Sequence, residues 1–188
     1  TLGDILSRQP GIEFYTQGSN GATGSLFMRG TSSGHTLVLI DGTRTGSATL
    51  GQMSSWSRIP AQQIERIEIL RGPASSLYGS DAIGGVIQIF TRQGTGPFHA
   101  NAEIGAGSDD TYSATGGFSG SQDAWRYSLN ANTYRTNGFN STKPKNAAYN
   151  SDNDGFYNNS ISGNLAYSFA KGHEAGASVF YSEGENKY

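Results

Sequence analysis

Cysteine is absent from the 188 residues, so neither a disulfide nor a thiolate site is available to this chain. In an exported protein, stability must then come from packing or from a membrane. Charge is also sparse. Charged residues make up 15%, and 13 Lys and Arg against 15 Asp and Glu leave a net charge of −2. That balance excludes charge-driven disorder and argues against a nucleic-acid partner. No apolar run approaches the roughly 20 residues that a transmembrane helix needs. The mean hydropathy of −0.48 points the same way. A transmembrane barrel is not excluded by either observation, because it places apolar residues only at alternate positions. The histidines, His35, His99 and His173, are scattered and make no zinc spacing. GxxxxGK[ST], GxSxG and HExxH are all missing. The chain is therefore expected not to be an enzyme, and no redox or nucleotide cofactor is expected. The opening TLGDIL lacks a charged-then-apolar leader. The chain reads as a truncated piece, with 185–188 expected in mid-loop.

What is present is glycine, 27 residues of it, and a central unit at 64–91, IERIEILRGPASSLYGSDAIGGVIQIFT. Ile67 and Ile69 fall on one face of an alternating strand. Gly72-Pro73 breaks the ladder, since proline has no N–H and a fixed φ. Gly79, Gly84 and Gly85 suit a compact bend before a second strand of Val86, Ile87, Ile89 and Phe90. Ahead of this unit, 1–9 reads as a helix with Leu2, Ile5 and Leu6 on one face, ended by Pro10-Gly11. Residues 17–25 form a polar, glycine-rich loop. Strands are expected at 26–29 and 36–40, followed by an Asp41-Gly42 turn. A long loop spans 43–57, and 60–63 begins a short helical turn. Long polar loops on a small core more often bind than catalyse.

From Phe98 onward the pattern becomes alternation of period two. Five runs are expected as strands, about 98–104, 112–118, 125–131, 161–169 and 175–181, each continuing to roughly the 9–11 residues of a tilted membrane strand. Phe98, Tyr112, Phe118, Trp125, Tyr134, Phe169 and Tyr181 lie near run ends, as aromatic girdles do. A soluble antiparallel sheet with one wet face has the same period. Run length and aromatic placement favour the membrane. The connections alternate short and long, matching the short turns on one side of a barrel and the longer loops on the other. Five strands cannot close such a barrel, and plugged transporters have about 22.

One polar cluster points to a ligand. Asn150, Asp152 and Asp154 alternate ahead of Gly155, like the opening of a calcium loop. An EF-hand fails, because Ile161 stands at the twelfth position and no helices flank the site. An Asx-rich loop is the commoner fate of such a sequence. A calcium site in a loop between barrel strands remains the alternative.

LRGPASSLYGSDAIGGVIQI, with LFMRGT at 26–31 and TLVLIDG at 36–42 before it, resembles the plug-domain signature of TonB-dependent outer-membrane receptors. The resemblance implies an α+β plug domain over 1–95 and the first five strands of an antiparallel transmembrane β-barrel over 96–188. Within that family FMRGTSSGHTLVLIDGTR is similar to the BtuB-type cobalamin (vitamin B12) receptors, as is the loop SDNDGF at 151–156. Carried over by position, cobalamin contacts fall on Thr23, Ser25, Ser32, Leu50 and Gly51, of which Ser25 keeps the family's residue type. Calcium ligands fall on Asn140, Asn150, Asp152 and Asp154, with Asn140 standing where the family has a carboxylate. Arg29 and Arg71 fall where plug arginines latch onto barrel-wall glutamates.

The resemblance further implies active import across the bacterial outer membrane. Cobalamin settles on the plug, calcium orders the loops, and TonB pulls an N-terminal segment, the TonB box, that it places ahead of Thr1. The implied partners are cobalamin, TonB and outer-membrane lipid, with phage or colicin docking as a further use of such a surface. A siderophore or haem receptor is the alternative on the same architecture. A passive adhesin or docking barrel is the rival from another class, and it would have no need of a plug.

Overall fold

The computed structural model describes every residue except Thr1, Gln17, Ser19, 46–57, Lys143, Lys145, 147–150 and Tyr188. Two compact units emerge, Thr1–Gly18 with Ala22–Phe90, and Ser19–Gly21 with Thr91–Tyr188.

The first unit opens with helix α1 (Leu2–Ser7), which buries Leu2 and Leu6 one turn apart and leaves Ile5 at the surface. It is shorter than the 1–9 expected from periodicity, because Gln9 already turns back on Leu6 O at 2.9 Å. Strands β1 (Ile12–Thr16) and β2 (Gly24–Met28) pair antiparallel. After β2 the chain reverses through Met28-Arg29-Gly30-Thr31, closed by Thr31 N–H to Met28 O at 3.1 Å. Arg29 has φ 52° and Gly30 φ 73°, the paired positive values of a type I′ turn.

The remaining strands of this unit, β3 (Thr36–Ile40), β4 (Thr43–Arg44), β5 (Ile64–Arg71) and β6 (Gly85–Thr91), form one sheet in the order β4-β3-β6-β5. β3 and β6 run parallel in its centre, pairing Leu37 with Val86 and Ile40 with Ile89. Both are covered on both faces, which is why TLVLI and VIQI are near-continuous apolar runs rather than alternating ones. Leu37, Leu39, Ala74, Ala82 and Val86 pack as one cluster, with Tyr78 against it. Between β5 and β6 the glycine-rich bend folds as a short helix α2 (Ser75–Tyr78) and a 3₁₀ turn at Ser80–Ala82. The edges are short or charged. β4 has 2 residues, and β5 carries an Arg66–Glu68 pair at 2.9 Å with the Arg66 guanidinium 3.6 Å above the Phe90 ring. Such edges resist stray strand pairing.

The second unit contains an antiparallel meander of β7 (His99–Gly107), β8 (Thr111–Gln122), β9 (Trp125–Thr136), β10 (Phe156–Ala170) and β11 (His173–Asn186). Connections 123–124 and 171–172 are short and lie at one end of the sheet. Connections 108–110 and 137–155 lie at the other. Along β9 the buried residues are Ser128, Asn130, Asn132 and Thr136, while Trp125 and Leu129 are exposed. β10 repeats this, with Asn158, Ser160 and Ser162 buried and Ile161, Leu165, Tyr167 and Phe169 exposed. Register carries the inversion across strands, so that Gly116, Ala131, Ile161 and Tyr181 share a row on the apolar face. A face of large apolar side chains left open while Asn, Ser and Thr are covered is the reverse of a water-soluble sheet. From Ile161 to Phe169 the apolar stretch runs about 27 Å along the strand. Tilted by ~40°, it spans ~20 Å of depth, near the ~25 Å apolar band of a barrel wall.

Three expectations change. β8 and β9 have 12 residues each, β10 15 and β11 14, beyond the 9–11 expected. Hydrophobic alternation marks only the lipid-facing part, and the ladder continues above it through polar residues such as Thr133, Asn159 and Glu183. For the same reason Glu185 and Asn186 are paired in β11 rather than in mid-loop. Tyr134 shares the polar face with Asn132 and Thr136 and lies tilted against Phe156 with ring centroids 6.0 Å apart, so it is no girdle residue.

Leu165→Arg, at the apolar face, is expected to destabilise the full-length receptor by about 2–4 kcal/mol, and Ser178→Arg on the opposite face by much less. Denaturant unfolding from lipid vesicles reads the difference. Equal losses at the two positions would refute the assignment of faces.

Candidate binding site

Loops at the long-connection end of the meander hold most of the chemistry. Asp109 O accepts Asn137 N–H at 2.9 Å, and Asp110 Oδ2 accepts the Asn137 side-chain amide at 2.8 Å. The 108–110 turn thereby braces the start of 137–155. Thr136 Oγ1 takes both the Thr111 hydroxyl at 2.8 Å and Gly138 N–H at 3.1 Å. At the far side of the same loop Lys187 N–H reaches Gly155 O at 2.8 Å.

The two arms of the 137–155 loop meet at Asp154. Its side chain is buried, and Oδ2 accepts Ser141 N–H at 2.9 Å and the Ser141 hydroxyl. Asn140 Oδ1 accepts Thr142 N–H at 2.9 Å. Asn140 and Asp154 are therefore gathered at one loop base, Asp152 is exposed two residues away, and Asn150 lies outside the described residues. Among the described residues no three His, Cys, Asp or Glu side chains converge as a metal cluster. The donors here are two carboxylates and amide oxygens, a set that suits a hard cation such as calcium and not a soft one. A carboxylate fixed below the surface by a backbone N–H and a hydroxyl is already ordered as such a ligand must be.

The expected substrate positions are not brought to one spot. Thr23 is exposed just before β2, whereas Ser32 is exposed beyond the turn that follows it. A five-residue strand of about 17 Å lies between them. Ser25 is a buried member of β2, paired with Tyr15. Leu50 and Gly51 lie outside the described residues.

The two arginines do converge. Arg71 Nε donates to Pro10 O at 3.1 Å, and Arg29 runs past Gly11 to bring its guanidinium near Gly72. The type I′ turn sets the direction of Arg29. Among the described residues its guanidinium has no hydrogen-bond or ion-pair partner. Arg44 differs, for it binds Asp81 at 3.0 Å and Tyr78 O, pinning the edge strand β4 to the glycine-rich bend.

Sequence reasoning missed the role of residues 20 and 21. They stand between β1 and β2 in the chain but belong to the second unit. The Asn20 amide donates to Tyr134 Oη at 3.2 Å, and the Asn186 amide to Gly21 O at 2.7 Å. Gly21 has φ 89°, and a Cβ there would lie 2.1 Å from the Phe156 ring. Only the Asn-Gly dipeptide, a turn signal, could have drawn attention to it. Its partners are more than a hundred residues away.

The TonB-dependent Receptor Plug Domain family matches residues 1–86. The vitamin B12 transporter BtuB of Photobacterium profundum is 36% identical over 190 residues, covering 100% of this chain and 30% of the transporter. BtuB of Vibrio vulnificus is 51% identical over 107 residues, covering 57% of this chain and 17% of the transporter. Among solved structures, the siderophore receptor PirA from Acinetobacter baumannii is similar with a TM-score of 0.77 and 28% identity, covering 100% of this chain and 29% of PirA. The chain thus spans less than a third of the length of the curated relatives it matches.

Gly21→Val adds a branched side chain at a left-handed residue against an aromatic ring, and is expected to cost about 1–3 kcal/mol or to expel the loop tip. Limited proteolysis of the full-length receptor should then cut near residue 20 faster than in wild type. Unchanged cleavage would remove this contact from the account.

Proposed function

This chain belongs to the TonB-dependent outer-membrane receptors, with the plug domain in residues 1–86, and from that premise we propose that the receptor it is part of imports a cobalamin. The observation that carries the substrate is the similarity to two vitamin B12 transporters, one along the whole chain and one at 51% identity over 107 residues. A siderophore is the second reading, favoured by the likeness to PirA, a siderophore receptor.

In this mechanism substrate enters from the long-loop end of the barrel strands and is held by plug loops that include Thr23 and the 43–57 segment. Ser25 acts from within β2 by fixing the strand that follows Thr23, and Ser32, with Leu50 and Gly51, completes the proposed contact set. Asn140, Asn150, Asp152 and Asp154 would hold calcium, whose charge would draw the two arms of 137–155 together. Asn140 in place of a carboxylate lowers the negative charge of that set, so calcium is expected to bind less tightly than to a site with one more acid. Arg29, a cation without a partner among the described residues, is suited to latch the plug onto a barrel-wall carboxylate, with Arg71 beside it held by Pro10 O. TonB supplies the work that moves the plug, and no bond of the substrate is broken.

Cyanocobalamin binding to the full-length receptor in detergent, first with calcium and then with chelator, is the decisive measurement. Tight binding that weakens under chelator is expected. Asp152→Ala, which removes one carboxylate, should raise the calcium concentration needed by about tenfold. Absence of cobalamin binding in both conditions, with uptake of an iron–siderophore complex instead, would overturn the substrate. Cobalamin binding indifferent to chelator would overturn the calcium site alone.

A further inference from the structure

The polar face of the meander is a wall of small uncharged groups. From Ser113 to Ser119 on β8, Ser128 to Tyr134 on β9, Asn158 to Asn164 on β10 and Ser178 to Gly184 on β11, every second residue is Ser, Thr, Asn, Gly, Tyr or Phe. Towards the short turns the first charges on this face are Arg126 and Glu174. They neutralise each other through bonds of 2.7 and 3.0 Å.

Several side chains of that wall are already committed. The Asn132 amide donates to Thr115 Oγ1 at 2.7 Å, the Ser182 hydroxyl to Asn158 Oδ1 at 2.9 Å, and the Ser128 hydroxyl to Arg92 O. The row between Asn132 and Ser128 differs. Gly117, Asn130 and Ser162 stand there in register, with Asn130 and Ser162 each 2% exposed. Neither Asn130 Nδ2 nor Ser162 Oγ has a hydrogen-bond partner among the described residues. Gly117 makes space for the Asn130 amide, since a Cβ there would lie 2.3 Å from Asn130 Oδ1 and 2.7 Å from Leu129 O. Next to this row, Ala131 and Ile161 stand on the apolar face, so the row lies level with hydrocarbon and away from the loops at either end. A buried amide and hydroxyl left unmatched forfeit the hydrogen bonds that water gives the unfolded chain, and a pair of apolar residues would avoid that loss. Two such groups side by side call for a partner that arrives from outside the chain.

We propose that Asn130 and Ser162 form a station on the import path, where the Asn130 amide donates to the passing molecule and the Ser162 hydroxyl donates to it or accepts from it. The group received is uncharged, a carboxamide or a hydroxyl, because no ion on this stretch of wall would balance a charge taken out of water. For a corrinoid the matching groups are its peripheral carboxamides. Buried at rest, the row is reached only while import is under way. The station rests on the receptor being an importer and is independent of the loop contacts that select the compound.

The test is the initial rate of cyanocobalamin uptake in cells carrying the full-length receptor and an intact TonB system, alongside equilibrium binding at the cell surface. Asn130→Leu and Ser162→Ala should each lower the maximal rate about three- to tenfold, the loss of one hydrogen bond in passage, with binding unchanged. Ser162→Thr, which keeps the hydroxyl, should recover most of the rate, and Ala131→Val, on the lipid side of the same strand, should change nothing. Heat-modifiable migration in gels checks that each variant is folded. With Ser162→Cys as the sole cysteine of the receptor, an impermeant maleimide should label the thiol during energised import and not in cells lacking TonB. A normal rate in either Asn130→Leu or Ser162→Ala, or equal labelling with and without TonB, would overturn the station and leave the row a structural hydration site. If wild type imports an iron–siderophore complex and no cobalamin, the cobalamin reading falls, and the same rates and labelling measured with that complex decide the station.

Discussion

A backbone that crosses hydrocarbon has no water to satisfy its N–H and C=O groups, so every strand must give both to its neighbours. In β7–β11 that demand is met by antiparallel pairing over four strand pairs, interrupted in the β10–β11 pair only by a register shift between Ser168 and Ala170. Everything else about the unit depends on this register. With a side-chain period of two, a slip of one residue would turn Ile161 and Leu165 inward and Ser160 and Ser162 towards lipid. The register is held by turns that suit it, with Asp109, Asp110 and Asp123 in the left-handed region that aspartate tolerates and Gly172 at φ 77°.

The first unit meets the same demand by different means. Its central strands β3 and β6 are parallel and buried on both faces, and its edges are short or charged. The loops and turns around that core carry the candidate chemistry. Arg29 is aimed by a type I′ turn, and Arg44 ties an edge to the bend at Asp81. The polar end of the meander adds Asp154, fixed by Ser141.

Much of this was legible in the sequence. Period-two alternation in 98–181 identified which residues share a face, because the pleat allows only two. The near-continuous apolar runs at 36–40 and 86–90 marked strands with no wet side, and Asp41-Gly42 and Gly72-Pro73 marked where the chain had to break. The motif at 70–89, with those at 26–31 and 36–42, identified the family, since three short signatures in order are far more restrictive than one. The spacing of Asn150, Asp152 and Asp154 drew attention to a loop of hard oxygen donors.

Tertiary structure decided the rest. Alternation stops where lipid stops, so it could not say that β9 continues to Thr136 or β11 to Asn186, where backbone pairing persists without apolar side chains. Nor could a local pattern tell that Tyr134 faces away from lipid, since aromatic residues serve both faces. That Arg71 binds Pro10 O, that Ser25 is covered, and that Gly21 lies against Phe156 are contacts between distant parts of the chain. The sequence by itself determined the faces and the family, because both are written in short-range order. Which polar groups meet was decided only by the fold, because hydrogen bonds reach a few ångströms in space without regard to distance along the chain.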